Sequence, residues 1–157
     1  MSGPESLLWA RLDRAWRPFR DAGALDYQRV ENGLRGATPD LDIACADWDP
    51  PQRWIELKVA RAAKRAERAE RAERVSIKWR PGQVAWLRRR DAAVPGSALL
   101  LLGVPSGELL ILTVEGVDAV PGLSLGRVVD AAGLTRAARA RSHDPVELLR
   151  LMAEVRT

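Results

Sequence analysis

Arg35-Gly-Ala-Thr-Pro-Asp40-Leu-Asp-Ile-Ala-Cys45, then a loop from Asp47 to Gln52, then Arg53-Trp-Ile-Glu56-Leu-Lys58: this stretch decides the fold. Asp40 follows a Gly/Pro turn and opens an apolar alternation at Leu41, Ile43 and Cys45, while Glu56 and Lys58 close a second apolar segment through Trp54, Ile55 and Leu57. Each pattern is that of a short strand, so the spacing predicts two strands joined across the loop. Side chains alternate along a strand, so Glu56 and Lys58 share a face and Leu57 takes the other. Asp42 lies on the face of Asp40 by the same period and is a candidate second acid. Two carboxylates and an ammonium are thereby brought to one edge of a small sheet. A hard divalent cation and a phosphodiester ask for that combination of charges.

The ordered set Pro39-Asp40 and Glu56-Leu57-Lys58 resembles the PD-(D/E)xK nuclease superfamily. The wider string is most similar to its phage and prophage Holliday-junction-resolvase-like and VRR-NUC branch: Arg29-Val30-Glu31-Asn32, Gly36 to Asp40, Trp54 to Lys58, and Arg80-Pro81-Gly82-Gln83 with Trp86. The resemblance spans residues 5 to 114. It implies an α/β (α+β) fold with a restriction-endonuclease-like core, a mixed central sheet of about five strands flanked by helices. It also implies a divalent-metal-dependent DNA endonuclease, with Mg²⁺ as cofactor and Mn²⁺ as its substitute. Asp40, Glu56, the Leu57 carbonyl and Glu5 on the first helix are then the implied metal ligands, and Glu31 is an alternative to Glu5. Lys58 would orient or activate the attacking water, with Gln83 supporting the geometry, so Asp40, Glu56, Lys58 and Gln83 form the implied catalytic set.

Charge distribution fits a nucleic-acid partner. The 157-residue chain carries a formal charge of +4, yet Lys58 to Arg90 holds twelve Lys or Arg against three Glu, so the rest sums to minus five. A basic excess concentrated beside the acids is an expected nucleic-acid footprint, although an Arg-rich solvated helix would give much of it unaided. Arg29, Arg35, Lys64, Arg88 and Arg89 are the candidate DNA contacts. Only three of the 25 basic residues are lysine, at 58, 64 and 78. Lys58 therefore stands out in a chain whose default cation is arginine, and a compact ammonium is more readily tuned beside a metal-bound water than a guanidinium.

Other chemistries are excluded by composition. A single Cys, Cys45, reads as a small buried hydrophobe and suits a reducing, cytoplasmic setting. A single His, His143, leaves no cluster for zinc and no triad. No apolar run approaches the ~20 residues of a membrane span, and no signal-peptide core opens the chain.

In chain order, Ser2 to Phe19 reads as a helix with Leu8, Leu12, Ala15, Trp16 and Phe19 on one stripe. Glu5 falls on that stripe and is equally well read as a first-turn acid favoured by the helix dipole. Tyr27 to Glu31 reads as a strand, and Gly33, Gly36 and Pro39 as a loop that approaches a ligand with its backbone. Residues 60–74, with their Arg-Ala-Glu units, read as a basic helical insertion without an apolar stripe. Val75 to Trp79 reads as extended and Pro81 to Asp91 as a helix whose inward face carries Gln83, Trp86, Leu87 and Arg90. Ala98 to Val104 reads as a strand buried on both faces, and Glu108 to Val114 as its neighbour. Residues 1–115 thus form the nuclease-like core, and 116–157 a helical extension with a capped helix starting at Asp144. Of the six Trp, only Trp48 in its polar loop is expected to be exposed. Structure-specific junction cutting, which a homodimer would suit, stands beside DNA end processing or packaging, and beside a non-catalytic nucleic-acid-binding or assembly protein.

Overall fold

The computed structural model describes residues 3–30, 40–63 and 74–156. Helix α1 (Pro4–Asp21) leads into strands β1 (Asp26–Arg29), β2 (Leu41–Ala44) and β3 (Gln52–Val59). After these come β4 (Arg61–Ala62), β5 (Arg74–Ser76), α2 (Gln83–Ala93), β6 (Ala98–Gly103), β7 (Leu109–Thr113) and α3 (Val114–Ala119). A single 3-10 turn (Leu123–Leu125), β8 (Val129–Asp130), α4 (Ala131–Ala137), β9 (Ala140–Ser142) and α5 (Pro145–Met152) complete the described chain.

The central sheet has the order β1-β2-β3-β6-β7-β9. Only β3 and β6 pair in parallel, with Glu56 opposite Leu100 and Lys58 opposite Leu102; every other pair in this sheet is antiparallel. Alternation divides the core in two. Ile55, Leu57, Leu99 and Leu101 face α1 and α5, where Leu8, Leu12, Trp16, Leu148 and Met152 cover them. Leu100, Leu102, Leu110 and Leu112 face the opposite layer, made by Val117, Leu123, Val129 and Leu134 with Val75 on β5 and Ile77 just after it. The unbroken leucine run of β6 is thus accounted for by burial on both faces, as expected for a strand with helices on each side. Glu56 and Lys58 lie on the second face, at the end of β3 where α2 begins.

Among the described residues the expected sheet of about five strands has six, and a second sheet of order β4-β5-β8 accompanies it. The ends of the 60–74 segment are strand and not helix: Arg61 pairs with Ser76 and Ala62 with Val75. Its interior, Lys64 included, lies outside the described residues. The segment 116–157 is not purely helical, since β9 closes one edge of the main sheet against β7 and β8 pairs with β5. Strands of two or three residues are too short to show a period in sequence, and these are defined by partners about fifty residues away or nearer thirty. Helix α1 begins at Pro4 with Gly3 as its cap, and Phe19 stands partly exposed at its end instead of on the buried stripe.

One buried cation organises the face opposite the acids. Arg53 on β3 is fully buried and donates to the carbonyls of Met152 (2.9 Å) and Val155 (3.0 Å) at the end of α5, and to Asp49 O (3.1 Å). A cation at a helix C-terminus meets the negative end of the dipole and the carbonyls left without helical partners. Burial lowers its pKa from the usual guanidinium value, with Asp49 opposing the shift. The guanidinium also sits 5.2 Å from the Trp48 ring centroid. Trp48, expected to be exposed, is therefore buried at 6 %.

Candidate active site

Register places the acids. Leu41 pairs with Ile55 in the antiparallel β2-β3 ladder, so one step further sets Asp40 opposite Glu56, on the same sheet face. Asp40 lies just before β2, and its Oδ2 accepts the Leu57 N–H at 3.1 Å. The even-numbered residues of β3 direct their backbone groups to β6, since Trp54 N–H donates to Ser97 O and Ala60 N–H to Gly103 O. Leu57 therefore turns its N–H and its carbonyl toward the Asp40 side, which β2 leaves without a ladder partner beyond Leu41.

Glu56 is 1 % exposed, Lys58 5 % and Gln83 2 %. Lys58 Nζ reaches Glu56 Oε1 at 3.1 Å, and Gln83 Nε2 donates to the same oxygen. Gln83 is held in that sense because its Oε1 accepts the Arg80 N–H at 2.8 Å, which leaves the amide nitrogen to face Glu56. Gly82, at φ +86, allows the tight turn that starts α2 there, two residues later than the expected Pro81. The Lys58 ammonium also lies 5.7 Å from the Trp79 ring centroid, and Trp54 and Trp86 meet edge to face at 5.9 Å. Burial pushes the Glu56 carboxyl up to about 8, the charge of Asp40 and a hydrogen bond with it add to the shift, and Lys58 opposes it. The two carboxyls thus face each other on one side of the sheet.

In front of this pair opens a cavity of about 410 Å³ lined by Glu5, Arg29, Asp40, Lys58, Arg61, Lys78, Arg80 and Gln83, among others. Glu56 lies behind the lining. Glu5 is half-buried at the first turn of α1 and faces the cavity from the wall formed by Gly3 to Ser6. The chain thus brings together Glu5, Arg29, Asp40, Glu56, Leu57, Lys58 and Gln83. Arg88 and Arg89 are exposed on α2 and do not line the cavity, and Arg88 pairs with Asp118 at 2.6 Å. Arg35 and Glu31 lie outside the described residues. Asp42 is engaged elsewhere on the sheet, accepting from Gln52 at 3.0 Å and Gln28 at 3.4 Å. Cys45 is half-buried, with Sγ 3.6 Å from Ala24 O.

Sequence patterning missed Arg61, Lys78 and Arg80 as site cations. Lys78 offered a faint signal as one of only three lysines. Arg61 gave none, because its position depends on pairing with Ser76.

Among the described residues no group of three or more Asp, Glu, His or Cys side chains stands gathered at metal-binding distance. The donor chemistry nevertheless fits a hard divalent ion. Asp40 and the buried Glu56 offer two carboxyls on one sheet face, and the Leu57 carbonyl and Glu5 would add further oxygen donors. No helix among the described residues is long and apolar enough to cross a membrane.

No protein-family model matches the sequence, and no curated protein matches it. The fold is similar to that of Hjc, a Holliday junction resolvase from the archaeal hyperthermophile Archaeoglobus fulgidus, with a TM-score of 0.50, 14 % identity, and coverage of 84 % of this chain and 88 % of that one. The protein has a mixed α+β architecture, a central mixed sheet flanked by helices, and this matches the fold of that archaeal resolvase.

Proposed function

We propose that this protein is a divalent-metal-dependent DNA nuclease. The observation that carries the reading is the convergence of Asp40, Lys58 and Gln83 on the wall of one cavity, with buried Glu56 held by Lys58 and Gln83 just behind it and four further cations, Arg29, Arg61, Lys78 and Arg80, lining the same cavity. The fold shared with a Holliday junction resolvase supports it.

Asp40, Glu56 and the Leu57 carbonyl would hold the ion, with Glu5 completing the set from α1. Mg²⁺ or Mn²⁺ would supply Lewis acidity toward the phosphoryl oxygens and lower the pKa of a bound water. The chain's own groups do the rest. Arg29, Arg61, Lys78 and Arg80 neutralise the backbone phosphates that flank the scissile one. Lys58, held by Glu56 and packed near Trp79, directs its ammonium at the attacking water and at the charge that builds on the phosphoryl oxygens. Gln83 fixes the rotamer of Glu56 and so the position of Lys58. The water oxygen bonds to phosphorus, the P–O bond to the departing sugar oxygen breaks, and the water's protons pass to solvent and to the leaving group.

The test is cleavage of linear, flapped, branched and single-stranded DNA by wild type, Asp40→Asn and Lys58→Met, with Mg²⁺ and with Mn²⁺. Wild type should cut, and loss of the Lys58 donor should reduce the rate by ~10²- to 10³-fold while DNA is still bound. The preferred substrate distinguishes junction resolution from end processing or packaging work. Binding without cutting by wild type, with either ion, would replace the nuclease by a DNA-binding module. The burial of Glu56 behind the cavity lining is the observation that favours this second reading.

A further inference from the structure

A second cleft adjoins the carboxylate cavity and shares Arg61, Lys78 and Arg80 with it, so these three cations form a wall with a cavity on each side. The cleft, of about 570 Å³, lies between the segment Ser76–Arg80 that follows β5, the start of α2 and the loop Ser124–Gly126. Beyond the cations its lining turns apolar: Ile77, Val84, Ala85 and Leu125. Leu125 is the conspicuous member, since it is 69 % exposed although it is a leucine in a well-anchored loop.

The anchoring is specific. Trp79 Nε1 donates to Leu123 O at 2.8 Å and ties the loop to the segment after β5, beside Lys58. Gly126 has φ +70, and a Cβ there would come within 3.2 Å of Ile77 O, so the loop lies directly on the backbone that follows β5. Gly122, at φ +84, starts the same turn. Leu125 is thus held in place with its side chain in water, beside three cations that also line the cavity of Asp40 and Lys58.

We propose that this cleft receives one unpaired nucleotide of the DNA strand adjacent to the scissile phosphate. The backbone phosphate lies on the shared wall of Arg61, Lys78 and Arg80, and the sugar and base pack on Leu125, Val84 and Ala85. The inference rests on the nuclease reading for the place of the scissile phosphate, and it adds the substrate class: DNA that is single-stranded, flapped or branched at the cut. Three features carry it. The cleft is continuous with the carboxylate cavity through charged side chains of the right sign for phosphate. Its volume of about 570 Å³ lies within the range of about 300–1,000 Å³ typical of small-molecule sites, enough for one nucleotide. Its far wall is apolar and pre-positioned, which suits a base face that every nucleotide presents whatever its sequence.

The experiment measures binding without metal, so that it does not depend on cleavage. Fluorescence anisotropy is recorded for a short single-stranded oligonucleotide and for a blunt duplex of the same length, with wild type, Leu125→Ser and Leu125→Trp, in the presence of EDTA. Both substitutions leave charge unchanged and fall on an exposed side chain. Leu125→Ser should weaken single-strand binding by roughly fivefold and Leu125→Trp should strengthen it by about as much, while duplex binding stays within about twofold. The rise with Trp is a result that a misfolded variant would not give. Equal single-strand affinities for all three proteins, or parallel changes on single strand and duplex, would overturn the cleft assignment. The nuclease reading is judged separately, by whether wild type cuts any DNA once Mg²⁺ is added.

Discussion

The Glu56 carboxyl makes the metal-free protein sensitive to pH in a direction opposite to that of an ordinary surface acid. Its pKa is pushed up to about 8 from 4.5, first by burial and then by Asp40. The unfolded chain gives up this proton near pH 4.5 and the folded one keeps it to about pH 8. The stabilisation is therefore fully present below pH 4.5, declines as pH rises through the interval, and is gone above about 8. The slope of one proton is ~1.4 kcal/mol per pH unit, so the loss is ~3 kcal/mol by pH 7 and approaches ~5 kcal/mol above pH 8. For a chain of this length the melting temperature moves by about 2–4 °C per kcal/mol, which puts the fall between pH 5 and pH 8.5 on the order of 10 °C. Thermal melts in EDTA across pH 5 to 9 measure it, and Glu56→Gln is the reference. The amide keeps the shape, its oxygen still accepts from Lys58 and Gln83, and it carries no charge to bury. Subtracting the variant removes the titration of all other groups. The wild type should be the less stable of the two at pH 8.5, and the gap should close or reverse at pH 5. Added Mg²⁺ should raise the wild-type melting temperature at pH 8.5 and leave Glu56→Gln little changed. A difference between the proteins that is flat from pH 5 to 9 would refute the buried-carboxyl reasoning.

Other parts of the structure make further predictions. Arg53→Met strands the Met152 and Val155 carbonyls and should cost ~3 kcal/mol in urea unfolding; a loss below ~1 kcal/mol would mean that α5 is held by its apolar face alone. Gly126→Ala forces a side chain into a left-handed backbone position and against Ile77 O, and should cost ~1–2 kcal/mol while loosening the loop that carries Leu125. The Tyr27 phenol, buried and hydrogen-bonded to Asp13 Oδ1 at 2.9 Å, has its pKa pushed up to about 12, so ultraviolet titration should show no phenolate below about pH 11; Asp13→Asn should bring ionisation to lower pH. A tyrosine that ionises near pH 10 in the folded wild type would contradict that burial.

Asp40, Glu56, Lys58 and Gln83 were legible in the sequence because each position follows from local geometry. A period of two puts Glu56 and Lys58 on one face of a strand, a short loop between two such strands places Asp40 opposite Glu56, and the i, i+4 spacing to Leu87 turns Gln83 inward. These relations act over a few residues and hold wherever the segment lies. The leucine run of β6 was legible for a similar reason, since only a strand covered on both sides has no polar alternation. The tertiary structure alone decided that Arg61, Lys78 and Arg80 line the site, because their positions rest on the pairing of two- and three-residue strands, β4 with β5 and β5 with β8, too short to show a period in sequence. It alone buried Arg53 under α5 and with it Trp48, since an arginine in a strand reads as exposed until carbonyls from 99 and 102 residues away accept its protons. It also moved Arg88 out of the candidate site and into a pair with Asp118. Local periodicity determines which face a side chain takes, whereas the groups that face meets are determined by long-range packing.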